Sequence, residues 1–292
     1  MSVLEALRER VAAPAPHEHD VPAGLAALGL CHVSASQIGQ YLRCPRQWAY
    51  VKVLGLRIPP DGGLVVGSGV HSAAEVGMRA KADTGQDPEP AASADVARDY
   101  VREQCATGEV RLEDGQAPGA LIDKAARVAE TWAAEAAPVV EPVGVEETFD
   151  VQIGGVQVTG RLDVREAAAV VDWKTTSKRK SASDVLATPQ TEVYAAATGL
   201  PVRYVYLIDQ AKGVSTQEIA QATRDHAEAA RLAGATVSEV ARGMALGVWP
   251  RRRDGWHCSS RWCGFYDRCL SGRDDDEMAE RAAAARSAAG GR

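Results

Sequence analysis

No run of apolar residues in this sequence approaches the roughly 18–20 needed to span a bilayer, so no membrane partner is expected. The first twenty residues, MSVLEALRERVAAPAPHEHD, scatter charges among their apolar side chains and lack a secretory h-region. The expected location is therefore cytoplasmic. An excess of positive charge is missing too: the formal charge is −6 at pH 7, which argues against wholesale, non-specific binding to nucleic acid. Cysteine is scarce, at six in 292 residues, too few for a disulfide scaffold in a chain this long. No internal repeat is visible. What remains is ordinary for a folded protein: 25% charged and 46% hydrophobic residues, a balance that excludes wholesale disorder. The length allows one sizeable α/β domain with extensions, or two small domains.

Residues 1–30, rich in Ala, Pro and Gly, read as a weakly ordered extension with one short helix. From Ser34 the segment SASQIGQYLRCPRQWAYVKVLGL reads as a helix, with Ile38, Tyr41, Leu42, Trp48 and Val51 at helical spacing and a break at Pro45. DGGLVVGSG reads as a Gly-rich turn leading into a helix over 70–82. Ala-rich helices follow near 92–106 and 118–136. The period then changes. VEETFDV (145–151), GVQVTGRLDVRE (155–166) and AVVDWK (169–174) are short, β-branched and separated by turn signals, as in an antiparallel meander. A helix is expected over 182–198, strands over 202–209 and 214–220, and a long helix over 222–246. The tail, 271–292, shows no core-forming face and is expected to be disordered.

Asp163 lies near the end of one expected strand, and Asp172 and Lys174 lie on the next. Residues two apart on a strand share a face, so Asp172 and Lys174 project together, and hairpin pairing would bring Asp163 to the same side. Two carboxylates converging with one ammonium are what phosphodiester hydrolysis requires. The acids can hold Mg²⁺ or Mn²⁺, and the lysine can orient the attacking water or stabilise charge on the phosphate. Further along, Gln190 and Tyr194 stand at i and i+4 and so share one helix face. Basic residues cluster at Lys174, Lys178, Arg179 and Lys180, again at Arg251, Arg252 and Arg253, and across Arg43, Arg46, Lys52 and Arg57. The tracks at 178–180 and 251–253 would guide single-stranded DNA, with Trp173 and Trp249 as candidates either for stacking platforms or, more often for such aromatics, for the core.

A second constellation is WHCSSRWCGFYDRC, which sets Cys258, Cys263 and Cys269 within twelve positions. In a reducing compartment such spacing points to metal rather than disulfide. The fourth ligand is His257 nearby or, the better choice, Cys44 in YLRCPRQWAY. Cys31 and Cys105 are left over and read as small buried hydrophobes.

GRLDV, VVDWK and QTEVY, in this order and spacing, resemble the PD-(D/E)XK nuclease superfamily, and within it the RecB-type exonuclease branch with its Q-x-x-x-Y motif. GSGVH, Gly67 to His71, is similar to that branch's upstream G-x-x-x-H motif. The resemblance implies that His71 is a metal ligand beside Asp163 and Asp172. Glu75, one helical turn on, reads as a surface residue or, second to that, as an outer partner of His71. It also implies that Gln190 and Tyr194 contact DNA near the scissile phosphate. Imidazole among the ligands favours Mn²⁺. Several members of the branch close a four-cysteine [4Fe–4S] cluster between one upstream and three downstream cysteines, which implies Cys44 with Cys258, Cys263 and Cys269. Four thiolates suit zinc as well. The four-residue gap between Cys258 and Cys263 is wider than in CRISPR-adaptation relatives and brings the chain closer to phage-type ones.

The expected fold is α/β: a restriction-endonuclease-like core over 31–270, with a central mixed sheet of four or five strands flanked by helices. The helical N-terminal region would be clipped to the C-terminal segment by the metal cluster. The expected function is metal-dependent exonucleolytic hydrolysis of DNA in recombination or repair, with a single-strand annealing protein as a possible partner. Two rivals stand beside it. One is a nuclease trimming spacer DNA with CRISPR-adaptation proteins, and the other a catalytically silent DNA-binding scaffold.

Overall fold

The computed structural model describes residues 20–186, 188–220 and 226–290. The expectations for residues 1–19, and the start of the long helix expected over 222–246, lie outside the described residues. By packing, the chain divides into two compact units. The larger takes Val33–Gly39 and Leu56–Ser238, and the smaller draws on the chain up to His32, on Gln40–Gly55 and on the chain from Glu239 onward.

Across both units the order is α1 (Val21–Ala27), β1 (Val33–Ser34), α2 (Ala35–Arg43), α3 (Pro45–Lys52), α4 (Gly62–Thr84), α5 (Pro90–Ala106) and α6 (Pro118–Thr131). Then come β2 (Gly144–Ile153), β3 (Val156–Arg165), β4 (Val170–Thr176), α7 (Ala182–Leu186), α8 (Pro189–Thr198), β5 (Val202–Gln210) and β6 (Gly213–Ala220). The chain ends with α9 (His226–Ala245), α10 (Tyr266–Ser271) and α11 (Asp275–Ala288).

The larger unit is a mixed six-stranded sheet in the order β1-β3-β4-β5-β6, with β2 paired to β3. The meander β2-β3-β4 is antiparallel as expected, and β4 and β5 run parallel, joined through α8. Strand period 2 sorts the residues of the two central strands. Val171, Trp173, Val205 and Leu207 enter one core with Val70, Ala74 and Met78 of α4 and with Val128, Trp132 and Ala133 from α6 and its continuation. Asp172 and Lys174 alternate to the other face, in register with Tyr204 and Tyr206.

The expected Gly-rich turn before residue 70 is instead the opening of α4. Asp61 caps it, its carboxylate accepting from Leu64 N–H at 2.9 Å. The glycines serve packing rather than turning. A Cβ on Gly69 would lie 2.9 Å from Val101 Cγ2 and 3.1 Å from the Ala97 carbonyl, so only glycine lets α5 lie this close.

In the smaller unit the expected disordered tail is the helix α11. Met278, Ala282, Ala285 and, just beyond it, Ala289 form a buried stripe. This stripe is made almost wholly of alanine, whose weak apolarity hides it in the sequence while its small size permits close contact. Gly24 of α1 meets it without a side chain: a Cβ there would stand 3.0 Å from Ala289 Cβ. The acidic start of α11 is also engaged. Asp275 takes both oxygens to Arg251 Nη2, at 2.5 and 2.7 Å, and Asp274 accepts from Arg268 at 2.7 Å through each oxygen. Within the extension expected to be weakly ordered with one short helix, residues 21–27 form α1, started by the Asp20 carboxylate on Ala23 N–H at 2.9 Å.

Trp132 is fully buried and meets Trp173 edge to face with ring centroids 5.7 Å apart. Trp132→Ala is therefore expected to lower the unfolding free energy by about 3–5 kcal/mol, read as a fall in the denaturant midpoint.

Candidate active site

β3 keeps β2 along one edge and divides its other edge. Val164 and Arg165 pair with Val171 and Val170 of β4, whereas Val158 and Thr159 pair with Val33 and Ser34 of β1. Between these contacts, among the described residues, 160–163 have no strand on that side. Continuing the β3–β4 register sets Asp163 opposite Asp172, where the strands have parted. Backbone groups freed by the parting need partners, and side chains supply them. Trp173 N–H donates to Asp163 Oδ2 at 2.9 Å, and the Arg161 carbonyl accepts from the Tyr194 hydroxyl at 2.8 Å.

Around this opening the expected residues assemble. Asp172, 1% exposed, holds the Lys174 ammonium at 2.6 Å through Oδ2 and accepts from Gln190 Nε2 at 2.9 Å through Oδ1. The same Gln190 amide donates to the Tyr194 hydroxyl at 2.8 Å. Gln190 and Tyr194, expected to touch DNA, are thus turned onto protein partners and brace Asp172 from α8. From α4, His71 Nδ1 comes within 3.4 Å of Asp163 Oδ2. Gly67 permits this approach, since a Cβ there would stand 3.1 Å from Thr175 Oγ1 of β4.

The charges are mutually tuned. Burial, reinforced by the neighbouring Asp163 charge, pushes the Asp172 carboxyl up to about 6 against the pull of Lys174. Burial alone would raise Asp163 also, but His71, Lys174 and the Trp173 N–H hold it below the usual carboxylate range. For His71 and Lys174 burial opposes the cation, and the adjacent carboxylates more than offset it, so both stand above their ordinary values.

One residue here was not anticipated. Glu146 sits in β2 opposite Asp163, at the single gap in the β2–β3 pairing register, with φ at +53°. Its side chain is 6% exposed and contacts Arg161 Nε at 2.5 Å. Burial raises its carboxyl and the Asp163 charge raises it further. In sequence VEETF reads as an alternating strand, and nothing local distinguishes the buried glutamate from its neighbour Glu147, which faces Arg165 at 2.6 Å. A left-handed backbone at a non-glycine residue is strained, by about 1–3 kcal/mol. Glu146→Gly is therefore expected to be more stable than Glu146→Ala by about 1 kcal/mol, measured by equilibrium denaturation.

The donor set of two or three carboxylates and one imidazole suits a hard divalent ion. Asp172 Oδ2 and Glu146 Oε2 are buried without an aligned hydrogen bond, facing only their ion-pair cations. In kind, then, the residues fit such an ion. As placed, no three His, Cys, Asp or Glu side chains among the described residues group as a metal-holding set.

Other expected contributors fall elsewhere. Glu75 pairs with Arg79 at 3.0 Å along its own helix. Trp173 and Trp249 are buried and present no stacking face. Lys178 and Arg179 are exposed just beyond β4, while Lys180 is half-buried with its backbone bonded to Gln217. Arg251 is taken by Asp275, Arg252 pairs with Asp254, and Arg253 is exposed. Cys31 is exposed and Cys105 half-buried, so neither is the buried hydrophobe expected.

In the smaller unit Cys44, Cys258, Cys263 and Cys269 line one hollow with His257, about 460 Å³ including the solvent at its mouth. All are free thiols. Burial, and then the charges of Cys44, Cys269 and Cys258, raise the Cys263 thiol.

The succession α4-β2-β3-β4-α8-β5, with two acids and a lysine where an antiparallel pair parts, defines a nuclease-type α/β core. Residues 32–270 match the family model of the PD-(D/E)XK nuclease superfamily. The chain belongs to that superfamily. No curated protein matches it. A crystal structure from Eubacterium rectale named "putative exonuclease" is similar at TM-score 0.53 and 14% identity, over 85% of this chain and 91% of that one. The structure of SSO0001 aligns at TM-score 0.33 and 16% identity, over 67% of this chain and 82% of that one. The first likeness supports the fold, and the second carries no argument.

Proposed function

We propose that this protein is a metal-dependent deoxyribonuclease of the RecB-type branch that removes nucleotides from DNA ends. The observation that carries the reading is the convergence of Asp163, Asp172, Lys174 and His71 on one buried opening in the sheet. Asp163, Asp172 and His71 would hold Mg²⁺ or Mn²⁺, which when bound polarises the phosphate and makes its water acidic enough to attack near neutral pH. The rest is the work of the chain. Lys174, kept cationic by Asp172, orients the nucleophile and opposes the charge building on the phosphate. Gln190 fixes the rotamer of Asp172, and Tyr194 fixes Gln190 against the backbone of β3. Lys178 and Arg179 lie exposed beyond the end of β4, as phosphate guidance requires.

A silent scaffold would have no physical reason to keep a buried, mutually charged set that costs stability. The test is digestion of end-labelled linear DNA with Mn²⁺. Lys174→Ala is expected to lose about 10²-fold or more in rate while still binding DNA, and chelation is expected to stop the native protein. DNA left intact by the native protein with either metal would refute the nuclease.

For the cysteines the reading is a [4Fe–4S] cluster held by Cys44, Cys258, Cys263 and Cys269, acting as a structural clip. One observation supports it: all four thiols line one hollow. Four thiolates suit an iron–sulfur cluster or zinc. A clip between Cys44 and the Cys258 segment would close a loop of more than 200 residues. Loop-closure entropy gives stabilisation on the order of several kcal/mol. Protein purified without oxygen is expected to be brown, and Cys263→Ser to be colourless and easier to unfold. A colourless native protein that carries zinc by elemental analysis would replace the cluster with a zinc site.

A further inference from the structure

Cys44 is the N-cap of α3 (Pro45–Lys52). Cys44, Gln47 and Tyr50 follow one another at three-residue steps, so they lie toward one side of the helix. All three line the hollow that holds the other cysteines. Trp48 turns away from it, against Tyr41 and Trp249. The helix that brings one cysteine to the hollow therefore brings two further polar side chains with it.

Each of the two has a sulfur beside it. Gln47 Nε2 lies 3.9 Å from Cys263 Sγ, within hydrogen-bond reach for sulfur. Tyr50 is 1% exposed and its ring packs on Phe265, with centroids 5.0 Å apart. Its hydroxyl is buried without an aligned partner among the described residues. Burial, and then the adjacent Cys269, push that hydroxyl up to about 12, so near neutral pH it carries a proton and donates. Cys269 is itself anchored: Arg251 Nε donates to its carbonyl at 3.2 Å, while the outer end of that guanidinium is spent on Asp275.

A buried hydroxyl with no partner is costly, and a protonated thiol is a weak acceptor. A metal-bound cysteine is an anionic thiolate, to which a neighbouring donor makes a stronger, charge-assisted bond. The Tyr50 hydroxyl and the Gln47 amide are thus poorly satisfied by free thiols and well satisfied by ligated ones.

We propose that Tyr50 and Gln47 donate hydrogen bonds to the bound thiolates of Cys269 and Cys263 and so raise the reduction potential of the cluster. The inference rests on the cluster reading above. A hydrogen bond to sulfur offsets negative charge there. The reduced state carries one more electron than the oxidised state, so each bond favours the reduced one.

The test is a dye-mediated dithionite titration of the whole protein, purified without oxygen and followed by the fading of its brown absorbance. Tyr50→Phe removes one oxygen and leaves the ring on Phe265; Gln47→Leu removes the amide and keeps the bulk. Each variant is expected to stay brown and to shift the reduction equilibrium about ten-fold toward the oxidised state. For one electron that is a potential lower by about 59 mV. A role in packing alone would move the denaturant midpoint and leave the potential in place. If Tyr50→Phe is isolated colourless, Gln47→Leu decides alone. Native potentials in the brown variants would overturn the inference and leave the clip standing. Loss of colour from both variants would make their role one of cluster retention and overturn the claim on potential. A colourless native protein would remove the cluster reading itself, and this inference with it.

Discussion

The site depends on the parting of two antiparallel strands. Were β3 and β4 paired to their ends, Asp163 and Asp172 would oppose each other across a closed ladder and their carboxylates would repel without access to solvent or substrate. Instead pairing stops at Val164 and Val171, and the freed backbone groups are taken by Asp163 itself and by Tyr194. The hydrogen bonds that repair the opening also hold the acids in place. Structure and site share the same atoms, so neither can be altered alone.

Burial then dictates the company Asp172 keeps. A carboxylate this deep is costly without compensation; burial raises it against the pull of Lys174, and Gln190 donates a hydrogen bond to it. The remaining demand is for positive charge at that point, and it accords with the chemistry of a divalent ion. Glu146 adds to it from β2, in a strained backbone conformation that turns a strand residue inward. Strain and uncompensated charge gathered in one place are the usual mark of a region shaped for chemistry rather than stability.

The smaller unit follows a different logic. Its helices meet through glycine and alanine, and its acidic run ties down arginines that would otherwise read as a basic track. Arg251 is committed to Asp275 and Arg252 to Asp254. An inventory of basic residues does not reveal this, because a charge already paired has little field left to offer.

The amino-acid sequence by itself determined the donor chemistry. The two-residue strand period placed Asp172 and Lys174 together, helical spacing placed Gln190 with Tyr194, and the clustering of Cys258, Cys263 and Cys269 needed no fold to be seen. Those patterns are local, and local backbone geometry reads them directly. The folded chain alone decided which side chains are turned inward. It buried Trp173 and Trp249 while leaving Trp256 and Trp262 open, selected Glu146 over Glu147, and made an ordered helix of the alanine-rich tail. Burial is a property of what lies opposite a residue, and that neighbour comes from a distant part of the chain.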